Sequence, residues 1–197
     1  DAQSYTLSFK QSLKAHAKYP NLKAVPMPVA LALFDAATGE QLVLNSDSLF
    51  ENGVKDGVYL FDQAEASIEF KNVTAQPVVS LLRNFSAPVD LEFNYSDQDL
   101  AFLLQHETNG FNQWQAAQTL LENILLKDHN AQVYLDAISS PQLLPQLVNT
   151  DPLLASRLLD VPSEGYLASR IDADYNPVVI QAKREALLNA VAQACKC

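Results

Sequence analysis

The sequence predicts an Ig-like antiparallel β-sandwich followed by an all-helical segment of a superhelical array. Three observations carry that prediction. Apolar residues alternate with period two up to about Tyr95, the period becomes helical at Ser96, and a succession of helix caps follows. The domains expected are therefore residues 1–95 and residues 96–197.

In the first half, Tyr5, Leu7 and Phe9 share one face of a first strand. Leu31 and Leu33 oppose Ala30, Ala32 and Phe34 in a second strand, which ends at Asp35 before a turn through Gly39. Leu42 and Leu44 suggest a third strand, Val58 to Phe61 a short apolar run, and Ile68 with Phe70 another. Val79 and Leu81, continuing toward Arg83, follow Pro77, and Val89, Leu91, Phe93 and Tyr95 close the set. About seven short strands with Gly, Pro and Asn between them fit a sandwich. Pro20, Pro26 and Pro28 mark the stretch from Lys14 to Pro28 as a connection.

In the second half, Ser96 with Asp99 three residues on reads as a capped helix start, and Leu100, Leu103 and Leu104 follow at helical spacing. After Asn109-Gly110, the residues Trp114, Ala117, Leu121, Ile124 and Leu125 form one stripe. Ser140-Pro141, Asp151-Pro152, Ser163-Glu164 and Asn176-Pro177 mark further starts, giving five or six helices. The last, from Pro177, carries apolar residues from Val178 to Ala194 around most of its circumference. That predicts burial on all sides, further helices beyond it, and self-association of the isolated chain.

The composition bounds the function. Of 197 residues, 23 are acidic and 13 basic, a net charge of −10 without a Lys/Arg cluster, so nucleic acid and anionic membrane are expected to be repelled. No apolar run approaches bilayer length. The two cysteines, Cys195 and Cys197, stand in a C-x-C poorly suited to a disulfide, which fits a reducing, cytoplasmic setting. Three glycosylation sequons, at Asn72, Asn84 and Asn94, read as chance occurrences at strand ends.

Each candidate site has a plainer alternative. His106-Glu107 opens an H-E-x-x-H zinc motif, but position 110 is Gly110, so the second ligand is missing. A histidine closing a helix before a stop is the better reading. His16 and His129 are expected to face solvent. The acids Asp97 and Asp99 are accounted for by helix capping, and Asp172 and Asp174 beside Tyr175 by a polar turn. Phe111 and Trp114 are spaced as core anchors. No glycine-rich phosphate loop and no nucleophile elbow can be written. The residues themselves predict no catalytic, cofactor-binding or metal site.

The stretches Pro77-Val78-Val79-Ser80-Leu81-Leu82-Arg83-Asn84-Phe85-Ser86-Ala87-Pro88-Val89, Tyr95-Ser96-Asp97-Gln98-Asp99-Leu100 and Gly110-Phe111-Asn112-Gln113-Trp114 are distinctive. With Pro28 to Asp35, Glu69 to Val73 and Ala182 to Leu187, the chain resembles the middle of the bacterial aminopeptidase N family of zinc-dependent, gluzincin-type peptidases. The resemblance implies a sandwich plus the opening helices of a cup that covers an active site carried elsewhere. It implies zinc in the parent enzyme and none here, no catalytic residue to carry over, and as partners the catalytic domain, the remaining helices and the parent's peptide substrates. A self-sufficient β-sandwich binding or adaptor module is the competing expectation.

Overall fold

The computed structural model describes residues 4–13, 23–43, 53–73, 76–171 and 176–195. It divides the chain into two compact units, residues 1–91 and 92–197, with strands in the first and helices in the second.

The first unit contains β1 (Ser4–Lys10), β2 (Met27–Asp35), β3 (Val54–Lys55), β4 (Val58–Phe61), β5 (Glu65–Lys71) and β6 (Pro77–Leu81). β1 pairs antiparallel with β5, and a four-stranded sheet runs β3-β4-β2-β6. The alternation decides what is buried. Leu7 of β1 and Ile68 and Phe70 of β5 join Val29, Leu31 and Leu33 of β2, Tyr59 and Phe61 of β4, and Val79 and Leu81 of β6 in one cluster. The Phe9 ring lies 5.3 Å from Tyr59 and 5.7 Å from Phe61. Between β3 and β4, Asp56 (φ 51°) and Gly57 (φ 76°) both take positive φ, as a two-residue hairpin turn matched to strand twist requires.

Several expectations change here. β2 begins at Met27, so Pro28 belongs to a strand and not to the connection before it. Its ring is tolerated because Met27–Ala30 ladders only with β4, and the pairing with β6 starts at Leu31. Of the expected third strand, the described part bridges β2 through Gln41 and Phe34, Leu42 N–H donates to Leu33 O at 2.8 Å, and Leu44 lies outside the described residues. β6 stops at Leu81 because Leu82 (φ 53°), Asn84 (φ 56°) and Phe85 (φ 54°) turn left-handed, so Arg83 opens a 3₁₀ turn, Arg83–Phe85. Ser86 then accepts a hydrogen bond from Ala30 N on its Oγ at 3.0 Å, tying the turn to β2.

The expected last strand does not form. At the two ends of this stretch the backbone turns back on itself: Val89 N–H donates to Ala87 O and Tyr95 N–H to Phe93 O, both at 3.0 Å and two residues back. Val89, Leu91 and Phe93 are about 40% exposed, so they are not core residues.

The second unit holds seven helices among the described residues: α1 (Asp97–His106), α2 (Gly110–Lys127), α3 (Ala131–Ile138), α4 (Leu144–Thr150), α5 (Pro152–Leu158), α6 (Glu164–Ser169) and α7 (Pro177–Ala194). α2 is central, packing on α1, α3, α5 and α7, and buries nine of its eighteen residues. The capping box at Ser96 is complete: Ser96 Oγ accepts from Asp99 N at 3.1 Å, and Asp99 Oδ2 accepts from Ser96 N at 3.0 Å. Asp151, Ser163 and Asn176 cap α5, α6 and α7 as expected. Ser140 does not cap α4. It opens a turn instead, and α4 starts after Leu143 with Pro145 in its first turn. α3 raises the helix count above expectation; its start is signalled by Asn130, whose Oδ1 accepts from Gln132 N at 2.9 Å.

α7 is apolar around much of its circumference, and the described residues cover only one side of it. Only Ile180, Leu187 and Val191 are buried, while Val178, Val179 and Leu188 are exposed. Its side-on anchors are polar: Arg184 Nε donates to Pro162 O at 2.7 Å and Lys183 Nζ to Leu125 O at 3.4 Å.

Candidate functional site

The polar groups that could bear chemistry gather in three places within the helical unit. At the corner between α1 and α2, the chain leaves α1 after His106 in extended conformation and restarts at the Asn109 cap. Glu107, 3% exposed, accepts from Asn109 N at 2.8 Å, and buried Gln113 donates its Nε2 to Leu104 O at 3.2 Å. Asn109 Oδ1 accepts from Asn112 N at 3.2 Å. The His106 ring lies 4.6 Å from Phe102, and burial lowers its pKa below the ordinary 6.5, holding it neutral near neutral pH. This corner satisfies two helix ends with side chains. It brings no second metal-ligating histidine to His106.

The second place joins the start of α1, the end of α2 and α7. His129 is exposed, as expected, and its Nδ1 also lies 2.7 Å from Asp97 Oδ2. Asp97 does more than cap: its Oδ1 accepts from Asn123 Nδ2 at 3.4 Å, and Asn123 Oδ1 accepts from Lys127 Nζ at 2.9 Å. Lys183 completes the clasp from α7, 2.6 Å from Asp128 Oδ1. The acid sits at the positive end of α1 and the cations at the negative end of α2.

In the third place, Tyr166 Oη donates to Glu122 Oε1 at 2.6 Å and Arg170 Nε to Glu122 Oε2 at 3.3 Å, fastening α6 to α2. Burial, and then Glu122, push the Tyr166 phenol above its ordinary range. Sequence reasoning missed Glu122, Asn123 and Lys183, for which no local pattern signals a distant partner.

The remaining candidates disperse. Phe111 and Trp114 are half-buried with ring centroids 5.8 Å apart. Cys195 is exposed, with its thiol raised by desolvation. His16, Asp172, Asp174, Tyr175 and Cys197 lie outside the described residues. Among the described residues, no group of three or more His, Cys, Asp and Glu could hold a metal ion, and no helix is long and apolar enough to cross a membrane.

Comparison with known proteins places this arrangement. The profile described as "Domain of unknown function (DUF3458) Ig-like fold" matches residues 1–94, and that described as "Domain of unknown function (DUF3458_C) ARM repeats" matches residues 97–197. Aminopeptidase N of Escherichia coli is 33% identical over 98% of this chain, which covers 22% of that protein. Aminopeptidase N of Caulobacter vibrioides is 31% identical over 68% of the chain and 16% of its own length. The crystal structure of Legionella pneumophila aminopeptidase A in complex with aspartic acid matches with a TM-score of 0.72 at 25% identity, over 98% of this chain and 21% of that one. The chain thus spans about a fifth of the length of these relatives.

Proposed function

This chain belongs to the DUF3458 family, with an Ig-like fold in its first half and ARM repeats in its second, and from that membership we propose that it is a non-catalytic segment of a zinc aminopeptidase. One observation carries the reading: nearly the whole chain aligns with aminopeptidase N while covering only about a fifth of it. On this reading residues 1–95 form the sandwich and residues 96–197 the first part of a helical cup. The sandwich spaces the catalytic domain from the cup, and the helices help wall the chamber in which N-terminal residues are removed from peptides.

Zinc belongs to the rest of such an enzyme. The described residues here do not fit it, because His106 lacks a second ligand at Gly110 and His129 is engaged with Asp97. No step of the hydrolysis is therefore assigned to this chain. Its partners are the catalytic domain and the remaining helices, which would cover Val178, Val179 and Leu188 of α7, and its compartment is the cytoplasm.

Aminopeptidase activity of the chain on aminoacyl-anilide substrates with added zinc, alongside metal content, tests the proposal. No turnover and no stoichiometric zinc are expected. Turnover that tracks bound zinc would overturn it.

A further inference from the structure

We propose that Asn109 is a site of spontaneous deamidation, gated by its own capping bond at the start of α2. Each residue of this Asn-Gly pair has a role in the fold. Asn109 supplies the N-cap of α2 through its Oδ1, which accepts from Asn112 N at 3.2 Å. Gly110 suits the packing: a Cβ there would stand 3.1 Å from Leu154 Cδ2 of α5, so the end of that leucine would have to shift. A side chain at position 110 would shield the Gly110 nitrogen, and Leu154 occupies that space. The pair thus leaves the residue-110 nitrogen without a side chain of its own to shield it from the preceding side chain.

The chemistry needs only water. The deprotonated Gly110 nitrogen attacks Asn109 Cγ, the N–Cγ bond forms, the Cγ–Nδ2 bond breaks, and the side-chain nitrogen leaves as ammonia. Water then opens the cyclic imide at either carbonyl. Cleavage between the nitrogen and Cγ gives aspartate, and cleavage between the nitrogen and the main-chain carbonyl gives isoaspartate. No oxidant or reductant takes part.

The native geometry resists the first step. Ring closure needs Gly110 N eclipsed with Cβ about the Asn109 Cα–C bond, but ψ of 113° turns that nitrogen toward the α-hydrogen. Reaction therefore requires release of the cap and rotation of the first turn of α2, a local opening of the kind that precedes global unfolding. The two products differ in consequence. Aspartate keeps a capping oxygen and adds favourable charge at the helix N-terminus. Isoaspartate lengthens the backbone by one carbon, moves the cap away from Asn112 N, and loosens the helix on which four others pack.

The test is peptide mapping of isoaspartate at position 109 after incubation in mildly alkaline buffer, in the folded chain and in urea. Asn52-Gly53, whose asparagine lies outside the described residues, is resolved from it by the map. The folded chain is expected to react at least about fivefold more slowly than the unfolded one, the factor that a helix cap sets. In the folded state Leu154→Ala is expected to accelerate the reaction, and Asn109→Asp to retain the parent's urea midpoint. Equal rates in the folded and unfolded chains would overturn the proposal, as would no product at position 109 in urea. The wild-type comparison stands alone should Leu154→Ala fail to fold.

Discussion

Tyr134, fully buried in α3, donates its hydroxyl to the carbonyl oxygen of Leu158 at the end of α5 at 2.7 Å. The phenol spends its one donor on a helix-terminal carbonyl that has no intrahelical partner, and burial pushes its ionisation far above the ordinary range. Tyr134→Phe keeps the ring and leaves that carbonyl unsatisfied, so a loss of about 1–3 kcal/mol is expected. Urea unfolding followed through Trp114, the one tryptophan of the chain, should show a lower midpoint at unchanged slope. An unchanged midpoint would mean that water replaces the tyrosine at no cost.

The capping box gives a second prediction. Ser96→Ala and Asp99→Ala should each destabilise the helical unit by about 1 kcal/mol. The double variant should lose less than the sum, because Ser96 and Asp99 satisfy each other as well as two backbone N–H groups. Strict additivity in a double-mutant cycle would show that the two bonds act independently.

The box was legible in the sequence because its partners are three residues apart. The clasp between Asp97 and His129 spans 32 positions and the bond between Tyr166 and Glu122 spans 44, so neither leaves a local pattern to read. Val89 to Tyr95 shows the opposite failure. Alternation reports which side chains share a face, but a strand also needs a partner, and here Val89 and Tyr95 bond to carbonyls two residues back. In α7 the apolar pattern was legible, and Val178, Val179 and Leu188 stand uncovered beside the buried Ile180, Leu187 and Val191. Many of its apolar positions are alanines, which serve helix propensity and lose little by exposure.

Replacing core and non-core residues of the first unit separates alternation from burial. Leu33→Ala, at a site with no exposed surface, should cost about 2–5 kcal/mol. Leu91→Ala should cost ~1 kcal/mol or less, since that side chain already meets solvent. Circular dichroism during urea unfolding compares the two. Equal losses would place Leu91 in the core after all.

His106 sets a pH dependence whose sign follows from its burial. Its pKa in the folded chain lies below the unfolded value of 6.5, so between the two the unfolded chain binds more protons. Stability is therefore full above the unfolded pKa and falls as pH drops through the window beneath it. His106→Phe, which can keep the ring contact with Phe102, should flatten that acid-side decline and leave stability near pH 8 little changed. A decline as steep as the parent's would assign it to other groups.

The two longest helices should differ in how they open. α2 buries nine residues and is packed by four helices, whereas α7 buries three of eighteen and relies on Lys183 and Arg184 for much of its hold. Free energy of local opening follows buried apolar contact, so α7 amides should exchange with solvent through a partial opening well below that of α2. Leu187→Ala should lower protection in α7 further while leaving the central turns of α2 at the parent's level. Lys183→Met keeps the stem but removes the charge that meets Asp128 and the carbonyl of Leu125, and should act on the same amides more weakly. Uniform protection across both helices would show that α7 opens only with the whole unit, and that its few buried residues suffice to couple it to α2.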